Sequence, residues 1–388
     1  MKMNPIKLRE NIYWVGGIDW NLRDFHGYLT QRGTTYNAYL VIDDKITLID
    51  TVREYLSQEL IERISTLVDP SKIDYIITNH VEMDHSGSLP KIIELAPQAT
   101  IFTSPQGEKG LNAHYKNDWN IEVVKSGETL SLGKKSLQFL QTPLVHWPDN
   151  MVSYMPEEKI LFSNDAFGQH ISSSERFDDQ YPLDITLEEA KKYYANIVLP
   201  YGKQVKKALE SASQLEIEMI APSHGLIWRK NLPTILEEYK KWSGNETEEK
   251  GVVVFDTMWG STGKIARSIQ KAFENQGIKI AMRNLKYNHI SDVMTEVITS
   301  KYICVGSPTL NNGILPSVSS FLTYMKGLSP KERKGLAFGS YGWSGESVGV
   351  IEEVLRDCGF DLIEQVRLQY IPDDSSLNEI EEKIKESI

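Results

Sequence analysis

The sequence predicts an α/β protein with two domains, of which the first has layered sheets covered by helices and the second a doubly wound parallel sheet. The length of 388 residues suggests two or three domains. Strand-like runs dominate the first part of the chain, whereas strand-like and helical patterns alternate regularly in the last part. The stretch Trp242–Gly251 between them is polar, acidic and rich in turn residues. We therefore predict domains at residues 1–249 and 250–388.

The first domain contains many short apolar runs and few helical patterns. The clearest helical pattern is EYLSQELIERISTLV, Glu54–Val68. The strand-like runs are TTYNAYLVI, KITLIDT, KIDYIIT, ATIFTS, LQFLQT, MVSYM, KILFSND and IEMIAPSHG. Many strands with a few helices favour sheets that pack in layers beneath helices.

The second domain shows a regular βαβ alternation. Strand-like KGVVVFDT precedes a helical run at Thr262–Gln276. The same order recurs twice, with strands at Lys301–Ser307 and Lys334–Ser340 and helices near Ser317–Met325 and Glu346–Asp357. This repetition is typical of a doubly wound parallel sheet.

Composition and charge narrow the range of functions. The formal net charge is −11 and there is no long basic run, which argues against nucleic-acid binding. No apolar stretch approaches the roughly 20 residues of a membrane span, and the N-terminus lacks the pattern of a secretory signal. Cys304 and Cys358 do not form a CxxC pair, which argues against a disulfide scaffold or an iron–sulfur cluster. We expect a cytoplasmic protein.

The segment NHVEMDH, Asn79–His85, concentrates metal-binding side chains directly after the strand-like run KIDYIIT. It contains two imidazoles and two carboxylates, those of His80, Glu82, Asp84 and His85. Imidazole suits zinc, iron, copper or nickel, and the added carboxylates favour iron or manganese.

Three further candidate ligands follow strand-like runs in the same part of the chain. His146 follows LQFLQTPLV, Asp165 follows KILFSN and His224 follows IEMIAPS. A single histidine after a strand is most often structural, but four strand ends that each carry a ligand-type residue indicate a metal site. Four histidines and three carboxylates exceed one tetrahedral shell. We therefore predict two metal ions, which a carboxylate such as Asp165 can bridge.

The order of these motifs resembles the metallo-β-lactamase fold, whose signature is HxHxDH followed by later His, Asp and His. Glu82 replaces the second histidine here, and the resulting HxExDH is similar to the pattern of flavodiiron proteins. The resemblance covers essentially the whole chain, because that family also has a flavodoxin-like C-terminal domain. It implies an αββα metallo-β-lactamase-like sandwich at residues 1–249 and a flavodoxin-like sheet at residues 250–388.

The resemblance also implies two non-haem iron ions and an oxidoreductase activity, the reduction of dioxygen to water or of nitric oxide to nitrous oxide. The implied ligands are His80, Glu82 and His146 for one iron, Asp84, His85 and His224 for the other, and Asp165 as the bridge. Some members of the family leave the histidine at the position of His85 off the metal. The implied assembly is a head-to-tail homodimer or a dimer of such dimers, and the implied electron donor is a separate rubredoxin, flavoprotein reductase or deazaflavin.

The loop FDTMWGSTGK, Phe255–Lys264, lies between a strand-like run and a helical run and is suited to a phosphate at a helix N-terminus. The loops SPTLNNG and SYGWSGE follow later strands of the same domain, where ligands of open α/β sheets bind. The arrangement resembles flavodoxins and implies FMN. The predicted FMN-binding residues are Thr257, Met258, Trp259, Gly260, Ser261, Thr262, Pro308, Thr309, Asn311, Ser340, Tyr341, Gly342, Trp343 and Gly345.

Two further histidines are candidates for a catalytic role. The resemblance implies that His26 approaches the metals without binding them. His170 has the position of a residue that orients a metal ligand through a hydrogen bond, although a purely structural role fits both residues equally well.

Two other functions compete with the flavodiiron interpretation. The first is a zinc hydrolase of the metallo-β-lactamase fold with an appended flavodoxin domain, against which Glu82 and the predicted flavin loop argue. The second is an electron carrier with a vestigial metal domain, against which the complete ligand set argues.

Overall fold

The computed structural model describes residues 3–116 and 118–388, which form two compact units. The first unit extends to Tyr193 and includes Lys203–Lys240. The second unit consists of Tyr194–Gly202 and Lys241–Ile388. Within the described ranges no helix combines the length and the apolar composition that crossing a bilayer requires.

The elements of the chain up to residue 243 are short and numerous. The strands are β1 (Ile6–Arg9), β2 (Ile12–Trp14), β3 (Gly17–Asp19), β4 (Asp24–Phe25), β5 (Tyr28–Leu29), β6 (Thr34–Tyr36), β7 (Tyr39–Val41), β8 (Thr47–Ile49), β9 (Tyr75–Thr78), β10 (Thr100–Thr103), β11 (Ile121–Val123), β12 (Thr129–Ser131), β13 (Ser136–Gln141), β14 (Met151–Met155), β15 (Ile160–Asn164) and β16 (Met219–Pro222). The α-helices are α1 (Ser57–Ser65), α2 (Met83–Ser86), α3 (Leu89–Leu95), α4 (Pro105–Tyr115), α5 (Leu183–Tyr193), α6 (Gly202–Ala212) and α7 (Leu232–Ser243). The other helical turns are Glu54–Leu56, Pro70–Lys72, Tyr194–Val198 and Leu199–Tyr201.

Two sheets form the centre of the first unit. The larger has the order β1-β2-β7-β8-β9-β10-β11 and the smaller the order β12-β13-β14-β15-β16. One buried cluster, with Trp14, Ile77, Phe139 and Phe162 among its members, draws on strands of both sheets and therefore lies between them. A second cluster joins the other face of the larger sheet to α1, α3 and α4. These layers confirm the predicted metallo-β-lactamase-like sandwich. Its central strands have continuous apolar sequences because they are covered on both faces.

The predicted strand TTYNAYLVI is divided into β6 and β7. Asn37 lies at the break, where its backbone N–H donates to the carbonyl oxygen of Ser223 at 2.7 Å. Its side-chain Nδ2 donates to the carbonyl oxygen of Pro222 at 2.8 Å. The break therefore fixes the segment that carries His224.

The second unit is a parallel sheet with helices on both faces. Its strands are β17 (Glu248–Phe255), β18 (Lys279–Asn284), β19 (Ser300–Gly306), β20 (Lys334–Tyr341), β21 (Asp361–Leu362) and β22 (Val366–Gln369). Its helices are α8 (Ser261–Asn275), α9 (Ile290–Val297), α10 (Pro316–Leu328), α11 (Ser347–Asp357) and α12 (Asp374–Ser387). The order is β18-β17-β19-β20, with β21 and β22 successively beside β20, and every pairing is parallel. This order confirms the predicted flavodoxin-like sheet.

The strand β18 and the helix α9 were not recognised from the sequence pattern. The strand lies at the edge of the sheet and is only partly buried, and it includes the charged residues Lys279 and Arg283. A half-exposed edge strand lacks the continuous apolar run by which its neighbours were identified.

Candidate metal centre and cofactor site

The segment between β9 and α3 places four of the candidate ligands around a tight turn. His80 lies two residues beyond β9, and the single turn of α2 carries Asp84 and His85. The backbone N–H and the hydroxyl of Thr51 both donate to the carbonyl oxygen of His85, at 2.9 and 2.5 Å. The Ser86 hydroxyl donates to the carbonyl oxygen of Val81 at 2.7 Å. These bonds fix the direction in which the ligand side chains leave the backbone.

The seven candidate ligands form two adjacent groups in which ligand atoms lie within 4.8 Å of one another. The first group is His80, Glu82, His146 and Asp165, and the second is Asp84, His85 and His224. In the first group the Glu82 Oε2 atom lies 3.3 Å from Nε2 of His80 and 3.5 Å from Nε2 of His146. In the second group the two oxygens of Asp84 each lie 3.3 Å from an Nε2 atom, those of His85 and His224. The seven residues predicted as ligands from the sequence therefore lie close together in the fold.

Asp165 lies between the two groups and presents one oxygen to each. Its Oδ2 atom is 3.2 Å from Nε2 of His146 and 3.6 Å from Nε2 of His80. Its Oδ1 atom is 3.0 Å from Nε2 of His85 and 3.5 Å from Nε2 of His224. The buried carboxylate therefore has the geometry of a bridge between two ions.

The backbone and a further carboxylate orient two of the histidines. The Nδ1–H of His80 donates to Oδ2 of Asp149 at 2.8 Å, and the Nδ1–H of His224 donates to the carbonyl oxygen of Thr35 at 2.8 Å. Each bond leaves Nε2 directed into the site, which is the usual support of a metal-binding imidazole. The sequence reasoning missed Asp149, although a carboxylate three residues after His146 was a usable signal. A backbone carbonyl such as that of Thr35 leaves no such signal.

The site strongly perturbs the pKa values of its groups. Burial lowers the pKa of His85, but the charges of Asp84 and Asp165 outweigh it and raise that pKa to about 9. Burial raises the pKa of Asp84, but the charges of His85 and His224 outweigh it and leave that pKa lowered. The pKa of Asp165 is lowered by the same competition, with His85 as the strongest opposing charge.

Several buried polar atoms of this centre have no hydrogen-bond partner among the described residues. They are both carboxylate oxygens of Asp84 and of Asp165 and both ring nitrogens of His85. Unpaired buried polar atoms are costly and require an explanation. Metal ions would satisfy all of those that face the centre, so the residues present fit a two-metal site.

His26 and His170 occupy different environments. His26 is largely exposed, and its Nε2 atom lies 3.0 Å from Oε1 of Glu82. His170 is fully buried, and its Nδ1 atom bonds the Thr34 hydroxyl at 2.8 Å. The His170 ring packs against the His224 ring at 4.9 Å between centroids. Its contact with this candidate ligand is therefore a ring contact rather than the hydrogen bond considered from the sequence.

The second unit places three loops at one edge of its sheet. They follow β17, β19 and β20, which are parallel neighbours, so their carboxyl ends lie together. The first loop turns at Gly260, whose φ of +93° is in the left-handed region that glycine adopts without strain. None of the described side chains caps the start of α8 after this turn. Its first N–H groups are therefore available for an anion such as a phosphate.

The other predicted cofactor residues frame the same edge. The Thr262 hydroxyl bonds the Ser340 hydroxyl at 2.8 Å, which ties the first loop to β20. The Thr309 N–H donates to the carbonyl oxygen of Ser340 at 2.9 Å. Trp259 and Trp343 are 95% and 79% exposed, so neither belongs to the core. Exposed tryptophans beside an uncapped helix N-terminus fit a planar cofactor that carries a phosphate.

Comparisons with known proteins agree with both folds. The family model described as "ODP family beta lactamase" matches residues 34–225, and that described as "Flavodoxin" matches residues 253–384. The chain is 47% identical to the rubredoxin-oxygen oxidoreductase of Megalodesulfovibrio gigas, covering 93% of this chain and 91% of that protein. It is 44% identical to the nitric oxide reductase of Moorella thermoacetica, covering 95% and 94%.

A solved structure supports the same relationship over the full length. The crystal structure of the flavodiiron protein from Giardia intestinalis matches with a TM-score of 0.96 at 34% identity, covering 99% of this chain and 95% of that one. The shared fold, the identity over nearly the whole chain and the HxExDH motif lead to one conclusion: the chain belongs to the flavodiiron family of oxidoreductases.

Proposed function

We propose that this oxidoreductase reduces dioxygen to water, nitric oxide to nitrous oxide, or both, at a diiron centre that receives electrons through FMN. The observation that carries the proposal is the orientation of Asp165, whose two oxygens face two separate ligand groups. When bound, the two irons supply electrons jointly to a small gas and FMN accepts them from the donor. The names of the two relatives support these substrates and a rubredoxin-type donor.

The metal assignment follows the two groups of ligands. One iron would be held by His80, Glu82 and His146 and the other by Asp84, His85 and His224, with Asp165 as the bridge. Because the orienting bonds of His80 and His224 involve Nδ1, both residues are set to bind through Nε2.

His26 and Glu82 act together in this proposal. Oε1 of Glu82 contacts His26, while Oε2 approaches the two histidines of its group. His26 thus fixes the carboxylate so that one oxygen is directed at the metal. His170 has a supporting role, in which its ring holds the ring of His224 in place.

The flavin assignment uses the three loops at the edge of the second sheet. The phosphate of FMN would meet the N–H groups at the start of α8 and the hydroxyls of Thr257 and Ser261. The isoalloxazine ring would lie between the loops that follow β19 and β20, beside Trp343. Residues 1–249 would then contain the diiron site and residues 250–388 the flavin site.

The alternative of a zinc hydrolase explains less of the chain. The carboxylate at position 82 is anionic and is a harder ligand than imidazole, so it favours iron over zinc. Hydrolysis has no use for a flavodoxin-like unit, whereas an oxidoreductase requires a route for electrons. The membership in the flavodiiron family favours the oxidoreductase.

We also propose a head-to-tail homodimer located in the cytoplasm. Both cysteines are buried and unpaired, as is usual where thiols stay reduced. Sedimentation of the purified protein would test the dimer, and a monomer at all accessible concentrations would rule it out.

One experiment tests the proposed reaction. The purified protein is analysed for iron, zinc and flavin, reduced without oxygen, and mixed with dioxygen or nitric oxide in a stopped-flow spectrometer. We expect two irons and one FMN per chain, and rapid reoxidation by at least one gas. Zinc without iron, or reduced protein that consumes neither gas, would contradict the proposal.

A further inference from the structure

The first unit contains a cavity of about 410 Å³ beside the smaller sheet. Leu140, Val152 and Leu161 line it from β13, β14 and β15. Their sequence neighbours Phe139, Met151 and Phe162 point the opposite way, into the core between the sheets. The cavity therefore lies on the outer face of the smaller sheet, and α6 lines its other side without closing it.

The lining is mainly apolar. Val205, Ala208 and Leu209 of α6 face the three strand residues across the cavity. Lys207 is the single charged side chain among the described lining residues, and it is exposed to solvent. Ala208 and Leu209 are only partly buried. Small molecules can therefore enter from solvent, while the apolar walls disfavour ions and strongly polar molecules.

The cavity extends to the backbone that carries two of the metal-ligand candidates. Val145 and Ala166 line it, and each is the chain neighbour of a candidate ligand, His146 and Asp165 respectively. The segment between β13 and β14 contains neither helix nor strand. Chain neighbours of two candidate ligands thus line one side of an apolar space that is open to solvent beside α6.

We infer that this cavity binds the apolar diatomic substrate and is the route by which it approaches the metal centre, an inference that rests on the proposed function. Enclosed apolar cavities of roughly 150 Å³ bind xenon, and the mainly apolar space here is larger, so a xenon atom or a diatomic gas fits within it. Small uncharged gases lose little hydration on entering it, so they accumulate beside the centre that consumes them.

Xenon tests the binding site without any redox reaction. Crystals or solutions of the protein are exposed to xenon under pressure, and the occupied position is found by anomalous scattering or by the ¹²⁹Xe chemical shift. The same measurement is made on Ala208→Phe, which places an aromatic ring in the cavity. The matched control is Lys206→Phe, which adds the same ring on an exposed position of α6 outside the lining.

We expect xenon in the cavity of the parent protein and of Lys206→Phe, and its loss in Ala208→Phe. The second-order rate of gas consumption should fall several-fold in Ala208→Phe alone, with unchanged iron and FMN content and unchanged anaerobic reduction of the flavin. Absence of xenon from the parent cavity, equal gas rates in the two variants, or a tightly bound organic molecule found in the cavity would overturn the inference. A parent protein that binds xenon but consumes neither gas would instead refute the proposed function, and with it the assignment of a gas substrate to the cavity.

Discussion

Substitution of Asp165 by asparagine is the sharpest test of the two-metal site. The carboxylate presents Oδ1 to His85 at 3.0 Å and Oδ2 to His146 at 3.2 Å. Asparagine keeps one oxygen and replaces the other by an NH₂ group, which cannot bind a cation. One of the two ions therefore loses its bridging ligand, and we expect a fall from about two irons to about one iron per chain.

The same substitution has a second consequence in the metal-free protein. His85, whose pKa is raised to about 9, is protonated at neutral pH and forms a buried ion pair with Asp165. Breaking one partner of such a pair costs about 3–5 kcal/mol of folding free energy. Denaturant unfolding of the metal-free protein measures this loss, and elemental analysis with metal titration measures the iron.

Asp149→Asn provides the matched control, because it makes the same chemical change behind His80 rather than between the ions. Loss of such an orienting partner weakens metal affinity by about 10–100-fold. We expect this variant still to bind both irons when metal is saturating. If Asp165→Asn bound two irons with the affinity of the parent protein, the bridging assignment would be wrong.

Three further predictions concern the metal choice, the pH dependence and the flavin. Glu82→His should shift the metal content toward zinc and abolish gas reduction, and unchanged iron content and turnover would refute the role of Glu82. Because the pKa of His85 is raised from 6.5 to about 9, its proton stabilises the metal-free fold fully below pH 6.5 and less as the pH rises through about 9. Metal must displace that proton, so iron affinity should increase over this range in titrations at several pH values, whereas a flat profile would contradict the pKa shift. Trp343→Ala should weaken FMN binding by about 1 kcal/mol, or about fivefold, in a fluorescence titration, and full flavin retention on dialysis would count against its place beside the ring.

The sequence predicted the ends of β9, β15 and β16 correctly because buried strands leave continuous apolar runs, and three candidate ligands follow those runs directly, whereas His146 lies in the loop beyond the end of β13. His80, Asp165 and His224 were found in this way. Asp149 was not, because it follows no strand-like run, and its only signal was its position three residues after His146. The hydrogen bond from His224 to the carbonyl oxygen of Thr35 could not be predicted either. Every residue has a backbone carbonyl, and only the fold determines which one lies beside the histidine.

The cavity beside the smaller sheet could not be predicted from the sequence. Leu140 and Leu161 read as ordinary core residues, since apolar side chains on a strand are usually buried against a neighbouring layer. The structure shows that α6 covers this face incompletely and leaves about 410 Å³ of space. Incomplete coverage depends on how closely a helix approaches a sheet, which no local pattern encodes.

The charge of the metal centre explains why a carboxylate at position 82 suits redox chemistry. The carboxylates of Glu82, Asp84 and Asp165 balance three of the four positive charges that two ferrous ions would bring. Asp149 accepts a hydrogen bond from His80. Burial raises the pKa of Asp149, but the bond to His80 outweighs burial and leaves that pKa lowered. Asp149 therefore supplies a fourth negative charge and makes the reduced site neutral. A histidine at position 82 would leave one buried positive charge uncompensated before any oxidation, and each electron removed would add another. Glu82 thus lowers the electrostatic cost of the oxidised state, which a hydrolase that never changes its metal charge does not need.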